Sequence, residues 1–141
     1  MIDFESQSAR TLLEFAGGRH GIDSARCSLA FAHLRTAERL RSGLRGALAR
    51  HGLSDLQFAI LVVLLAVEPE PTPMAILANR AGVSRSAVTD AFDGLEATGL
   101  ASRARDRRDR RLIRGRITAT GREKVDKAID DYLCVSAQTV G

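Results

Sequence analysis

The chain has 141 residues, 45% of them hydrophobic, which is enough for one domain with a real core but not for two independent ones. Its 21 lysines and arginines exceed its 17 acids, and the formal net charge of +4 favours an anionic partner such as nucleic acid, a membrane surface or an acidic protein. No stretch approaches the roughly 20 apolar residues of a membrane span, and the first ten residues lack the bases and apolar run of a signal peptide, so we expect a cytoplasmic protein with no membrane partner.

The two cysteines, Cys27 and Cys134, lie far apart in the sequence. Neither belongs to a C-x-x-C motif, and no pair of histidines has the spacing of metal ligands. The sequence therefore predicts no metal site, no disulfide framework and no cofactor, and small buried side chains are the default expectation for both cysteines.

Two helices are predicted at the start of the chain. Residues 4–16 place apolar side chains on one helical face, and Gly17-Gly18 ends that helix. The face consists of Ala9, Leu12, Leu13 and Ala16. The second helix runs from about Ser24 to Arg50 with near-heptad spacing of its apolar residues, a pattern typical of helices that pack on a partner helix. That stripe contains Ala30, Leu34, Ala37, Leu40, Leu44 and Ala47.

A third helix is predicted to begin at a capping box. Ser54 is the expected N-cap, Gln57 reaches back to it, and Leu53 is expected to staple onto Phe58. The predicted buried face contains Phe58, Leu61, Val62 and Leu65.

A helix-turn-helix pattern follows the prolines of residues 69–73. Thr72 is the expected N-cap of a short helix that has Pro73 at its first position and ends near Ala81. Gly82 supplies the turn, and Ser84 is the expected N-cap of a helix reaching about Thr98. The buried face of that helix is predicted to contain Val88, Ala91, Phe92 and Leu95.

A small hairpin and a final helix complete the chain. The strands are predicted at residues 100–105 and 112–118, where Ile113 and Ile117 share a face. Thr120 and Glu123 form the expected capping box of a last helix that frays toward Gly141. Its inner face is predicted to contain Val125, Ala128, Ile129 and Tyr132.

The second helix of the helix-turn-helix pattern has an outward face suited to DNA. Because Val88 is buried, this face contains Ser86, Thr89, Asp90 and Asp93, with Arg85 at its flank. Short polar side chains and arginine near the start of such a helix reach base edges in a major groove.

Charge at the ends of these helices favours DNA binding, whereas charge on the outward face opposes it. Ser84 and Thr72 stand at helix N-termini, where free N–H groups suit a phosphate. Asp90 and Asp93 repel phosphate unless a carboxylate accepts a hydrogen bond from cytosine N4. These two acids therefore either lend specificity or lie just outside the contact.

The hairpin carries the strongest charge signal in the chain. Its basic residues are opposed only by Asp106 and Asp109. An arginine at a hairpin tip suits a narrow minor groove, where the negative potential is enhanced. The basic residues are Arg103, Arg105, Arg107, Arg108, Arg110, Arg111, Arg114 and Arg116.

Less specific interpretations apply to each feature alone, because a charge run is usually a solvated face and helix-turn-helix patterns occur by chance. The consecutive order of helix, glycine turn, capped helix, basic hairpin and terminal helix favours DNA binding. An enzyme is disfavoured, since the chain has no Gly-x-Ser-x-Gly elbow, phosphate-binding glycine loop or H-E-x-x-H motif. A winged-helix module that docks an acidic protein partner stays open as an alternative.

The sequence from Asp23 to Tyr132 resembles the multiple antibiotic resistance regulator (MarR) family. The Asp-Arg-Arg wing tip, placed between the second helix and a Thr-x-x-Gly turn, is the most specific element of the resemblance. The matching segments are Leu53-Ser54, Gln57-Phe58, Gly82-Val83-Ser84-Arg85-Ser86-Ala87-Val88-Thr89, Asp93-Gly94-Leu95-Glu96-Ala97-Thr98-Gly99-Leu100, Arg103, Asp109-Arg110-Arg111 and Thr118-Ala119-Thr120-Gly121-Arg122.

The resemblance implies a mainly α fold with a small β-hairpin wing: a winged helix-turn-helix plus a helical dimerisation region. It implies a homodimer on a pseudo-palindromic DNA operator, usually a repressor, associated with the nucleoid. Arg110 matches the wing arginine that enters the minor groove, and Asp109 matches the acid that braces the wing through an arginine. The full set of DNA-binding residues expected here is Thr72, Ser84, Arg85, Ser86, Thr89, Arg103, Arg108, Arg110 and Arg111.

We expect one domain over residues 1–141. Residues 53–119 form its winged helix-turn-helix, and residues 1–52 and 120–141 form its helical dimerisation region. Only about 20 residues follow Gly121, fewer than the second C-terminal helix of the family requires. We therefore expect the N-terminal helix around Leu12 and Leu13 to replace that helix at the dimer interface.

The resemblance also implies a switch, either a small aromatic or anionic effector or the oxidation of a cysteine. The candidates for an effector pocket are His33, Arg41, His51 and Phe58. Cys27 lies near the redox cysteine of organic hydroperoxide resistance regulators, but about one turn early and without their neighbouring tyrosines. A redox-sensing regulator therefore stays open as an alternative.

Overall fold

The computed structural model describes residues 2–140, so Met1 and Gly141, the end residues of the predicted domain, lie outside the described residues. The chain forms two compact units, one up to Leu44 and one from Arg45 onward. The predicted division at residues 52 and 120 stays a prediction. No helix within residues 2–140 is both long and apolar enough to cross a membrane.

The first unit contains α1 (Gln7–Gly17) and most of α2 (Ser24–Ala49). Helix α1 begins later than predicted because Ser6 is its N-cap, and the Ser6 hydroxyl accepts a hydrogen bond from the Ala9 amide. The residues before it are held by an edge-to-face contact between Phe4 and Phe31, whose ring centroids are 5.0 Å apart.

The apolar faces predicted for α1 and α2 are only partly buried in one chain. Ala9 is buried, but Leu12 in α1 and Leu34 in α2 are exposed by 42% and 41%. Cys27 is half-buried, and Cys134 is exposed, so the expectation of a buried side chain is wrong for Cys134.

The second unit begins with the end of α2 and continues into α3 (Asp55–Ala66), whose capping box is confirmed. The Ser54 hydroxyl accepts from the Gln57 amide, and the Gln57 side chain accepts from the Ser54 amide, each at 3.1 Å. The buried face is rotated from the predicted one. Val62 is 37% exposed, and the fully buried residues are Ile60, Leu61 and Leu64.

The helix-turn-helix consists of α4 (Met74–Ala81) and α5 (Arg85–Ala97), preceded by the two-residue strand β1 (Thr72–Pro73). Gly82 adopts φ 71°, the left-handed conformation that glycine tolerates, so the predicted turn is confirmed. Helix α4 starts at Met74 with no side-chain cap. The prediction that Thr72 is an N-cap is therefore wrong, because Thr72 is a buried strand residue.

The wing is an antiparallel hairpin of β2 (Ala101–Arg105) and β3 (Ile113–Ile117), within one or two residues of the prediction. Strand β1 pairs with the free edge of β3, placing Thr72 opposite Gly115. The sheet thus has three strands in the order β1-β3-β2 rather than two. Pro73 is tolerated because β1 is an edge strand.

Helix α6 (Ala119–Val140) ends the described chain. The Thr118 hydroxyl accepts from the Gly121 amide at 3.0 Å, so Thr118 caps this helix and the predicted box of Thr120 and Glu123 is wrong. Hydrophobic side chains from all the helices of the second unit meet in one core together with residues of the sheet. This core contains Leu48, Leu53, Ile60, Leu61, Leu64, Leu77, Val88, Phe92, Leu95, Leu100, Ile117, Val125 and Ala128.

A close approach between α6 and the start of the wing predicts the effect of one substitution. A Cβ on Gly121 would overlap the carbonyl oxygen of Leu100, which is backbone and cannot rotate away. We expect Gly121→Ala to lower the free energy of unfolding by about 1–3 kcal/mol, measured by urea denaturation at one protein concentration.

Gly46→Ala is the matched control. A Cβ on Gly46 meets nothing within 4 Å, and the residue is helical, so this substitution should stabilise the protein by up to about 1 kcal/mol. Equal stability of the two variants would contradict the close contact at Gly121.

Candidate nucleic-acid interface

The first turns of α5 present a polar surface to solvent. Ser84 is the N-cap, and its hydroxyl accepts from the Ala87 amide at 3.1 Å. The Thr89 hydroxyl donates to the Arg85 carbonyl at 3.0 Å. Arg85 and Ser86 are exposed, and their side chains form no hydrogen bond or ion pair within residues 2–140. These two residues are therefore the freest of the predicted base-reading residues.

Arg103 connects the wing to α5. From β2, its Nη1 lies 2.8 Å from Glu96 Oε1 and its Nη2 lies 2.7 Å from Asp93 Oδ1. The guanidinium also lies over the Phe92 ring, 5.1 Å from the centroid, and Nη2 donates to the Thr89 carbonyl. Its side chain is only 24% exposed. Arg103 was predicted to contact DNA, but the structure assigns its hydrogen-bonding groups to α5.

The electrostatics of this contact agree with a structural role. Partial burial alone lowers the pKa of Arg103, but hydrogen bonds and charge attraction from Asp93 and Glu96 raise it above its ordinary value. The charge of Asp93 is balanced by the same contact. Of the two acids predicted to face outward from α5, Asp93 is therefore paired.

The turn at the wing tip is held by Asp106. Its carboxylate accepts from the amides of Arg108 and Asp109 at 2.7 and 3.2 Å, and from Arg114 Nε at 3.0 Å. The two backbone hydrogen bonds, followed by the contact with Arg114, lower the pKa of Asp106. The bracing role of Asp106 was not predicted from the sequence, although an Asp that opens a turn is a known signal.

Asp109, the predicted brace, makes only local contacts. Its carboxylate accepts from the Arg111 amide at 3.0 Å and lies 3.5 Å from Arg111 Nε. The Arg111 side chain is 95% exposed, so this ion pair contributes little. The bracing role is therefore shared, and Asp106 makes more of the hydrogen bonds than Asp109.

The remaining arginines of the tip point into solvent. Arg107, Arg108 and Arg110 are exposed, and none of them forms an ion pair within the described part of the chain. The buried Thr72, in contrast, has too little exposed surface to contact DNA. The tip thus presents several free cations on a turn that Asp106 holds in shape.

The predicted effector-pocket residues have separate surroundings. In the second unit, His51 Nε2 lies 2.5 Å from Asp131 Oδ2, and the Phe58 ring stacks on Tyr132 with centroids 4.9 Å apart. His33 and Arg41 are exposed on α2. The effector pocket stays a prediction.

Cys27, the predicted redox residue, lines an open cleft of about 340 Å³ in the first unit. Aromatic and aliphatic side chains from α1 and α2, including Phe15 and Phe31, form most of its walls. The surroundings of the thiol are thus largely apolar, although Arg19 also lines the cleft. The redox role stays a prediction.

Comparison with known proteins agrees with this geometry. Residues 51–112 match the sequence model of the MarR family. HTH-type transcriptional repressor YetL of Bacillus subtilis (strain 168) is 25% identical over 121 residues, covering 86% of this chain and 72% of that protein. The transcriptional regulator BldR from Sulfolobus solfataricus is 31% identical, with a TM-score of 0.67 and 86% of each chain covered. The Mycobacterium tuberculosis transcriptional regulator MOSR, solved in complex with DNA, is 29% identical, with a TM-score of 0.63 and 77% of each chain covered.

The contacts of Arg103 predict how its variants behave. Arg103→Met should lower the free energy of unfolding by about 1–3 kcal/mol, because Asp93 and Glu96 lose a charged donor. Arg103→Lys should recover only part of this loss, since an ammonium lacks the planar fork that binds two carboxylates at once. Urea denaturation at pH 7 measures both.

Arg105→Met is the matched control, because Arg105 lies on the same strand but is exposed and forms no ion pair within residues 2–140. This variant should change stability by less than about 0.5 kcal/mol. A different pattern would favour the sequence-based prediction that Arg103 contacts DNA. In that pattern Arg103→Met unfolds like the parent protein, but its DNA affinity depends less on salt.

Proposed function

Because the chain belongs to the MarR family of transcriptional regulators, we propose that it represses transcription as a homodimer bound to a pseudo-palindromic operator. One observation carries this proposal: the first turn of α5 exposes Arg85 and Ser86, and the wing tip of the same unit exposes arginines that form no ion pair within residues 2–140. The family consists of regulators rather than enzymes. The repressor name of YetL and the DNA complex of MOSR support the proposal further.

In this proposal α5 lies in the major groove. A major groove admits one α-helix, and the residues near the N-terminus of a recognition helix contact base edges. Arg85 and Ser86 occupy the first turn of α5 and have no competing partner within residues 2–140. The N-terminus of α5, at Ser84, also has free N–H groups that suit a phosphate.

The wing tip lies in the adjacent minor groove. Its exposed arginines Arg107, Arg108 and Arg110 carry charges that no acid within residues 2–140 pairs with. Asp106 uses its carboxylate to hold the turn itself and Arg114, and the Asp109 carboxylate contacts Arg111. An arginine at such a tip suits the enhanced negative potential of a narrow minor groove.

Binding to the chain's own upstream DNA tests this function. In fluorescence anisotropy with scrambled DNA as competitor, the protein should prefer the upstream sequence, and its affinity should fall steeply with salt. Arg110→Ala should weaken binding by about 1–3 kcal/mol. Arg50→Ala, an exposed arginine outside the winged region, serves as the control.

Two results would contradict the DNA proposal. If Arg110→Ala and Arg50→Ala behave alike, the wing does not read DNA. If the protein binds no DNA even at low salt, the surface is better explained as a docking site for an acidic protein.

The proposed homodimer covers an apolar surface of the first unit. Leu12, Phe15 and Ile22 line one cleft and are exposed by 42%, 57% and 50%. The near-heptad stripe of α2 also exposes an apolar side chain, since Leu34 is 41% exposed. Monomeric proteins seldom expose apolar side chains that share one patch. A second copy supplies the partner helix that such a stripe requires.

Charged residues placed on this surface should disrupt the dimer. Phe15→Glu and Leu34→Glu each force a carboxylate into the interface, so we expect monomers in sedimentation velocity, with helix content by circular dichroism unchanged. Ser28→Glu is the matched control, because Ser28 is exposed and faces away from the α2 stripe. Dimers that persist in both variants would place the interface elsewhere.

A further inference from the structure

The outward face of α5 carries an acid that nothing in the structure accounts for. Val88, Phe92 and Leu95 are fully buried, which defines the inner face of the helix. Asp90 lies on the opposite face, one turn after Ser86, and is exposed. It is therefore within the first two turns, the part of a recognition helix that meets bases.

Two neighbours of Asp90 on this face already have partners. Thr89 donates its hydroxyl to the Arg85 carbonyl, and Asp93 is paired with Arg103 at 2.7 Å. Asp90 forms no hydrogen bond and no ion pair within residues 2–140. The sequence presents Asp90 and Asp93 as equivalent acids, and the structure separates them into one that holds the wing and one that is free.

We propose that Asp90 is a specificity-determining residue that selects cytosine at one position of each operator half-site. The inference rests on the proposed function, because it requires α5 to enter a major groove. An unpaired carboxylate close to DNA is repelled by phosphates, and it loses water without replacement unless a donor meets it. In the major groove the exocyclic N4 of cytosine is the donor that suits a carboxylate acceptor.

This role differs from that of the basic residues around it. Arg110 and the other wing arginines attract every DNA sequence through charge. Asp90 lowers affinity for every sequence that lacks a donor at its position, so it acts by rejecting incorrect sites. Positive residues supply the affinity, and this acid supplies the discrimination at one base pair.

Selection of binding sites from random double-stranded DNA by the full-length protein tests the inference. Wild type should enrich cytosine at one position per half-site. Asp90→Ala should lose that preference alone, so that a discrimination of about 5- to 150-fold between cytosine and the other bases at this position disappears. Asp90→Asn should move the preference toward adenine, which asparagine recognises through N6 and N7.

Asp126→Asn is the control for the change in charge, since Asp126 is exposed on α6 and should leave the selected site unchanged. The inference fails if both Asp90 variants select the wild-type site and bind all sequences more tightly by one common factor. In that case Asp90 only repels phosphate, and the proposed function survives. If wild type enriches no sequence, the inference and the proposed function fail together.

Discussion

The geometry of the winged region depends on the contacts of one guanidinium. Arg103, on the first strand of the wing, binds two carboxylates of α5 and lies over the Phe92 ring that α5 contributes to the core. A planar guanidinium fixes both the distance and the direction of its partners. Helix α5 and the wing are thereby held as one piece, so that the two surfaces proposed to enter a major and a minor groove keep a constant separation.

Features that depend on neighbouring residues could be predicted from the sequence. The caps at Ser54 and Ser84 and the turn at Gly82 follow from local hydrogen bonds and backbone preference. The cap of α6 could not be predicted in this way. The Thr118 hydroxyl is also held by the Gly99 carbonyl at 2.6 Å, a contact across nineteen residues that decides which threonine is the cap.

Contacts between distant residues were also what could not be predicted in the candidate site. The sequence reveals how many arginines and acids the wing and α5 contain, but it does not reveal which of them pair. Arg103 was expected to contact DNA, and the structure shows its guanidinium bound to two carboxylates of α5. Asp93 and Asp90 looked alike in the sequence. Strand β1 was missed for a similar reason. Two residues carry no periodicity, and only pairing with Gly115 makes Thr72 part of a sheet.

The hydrogen bonds of Asp106 separate the shape of the wing tip from its charge. At the tip this carboxylate binds backbone amides, and among the described residues the one side chain that it binds is that of Arg114 on the returning strand. Every residue except proline carries a backbone N–H, so the side chains at positions 107, 108 and 110 can change during evolution while the turn persists. A lineage can thus adjust how strongly the protein is attracted to DNA by changing these three positions without having to refold the protein around each change.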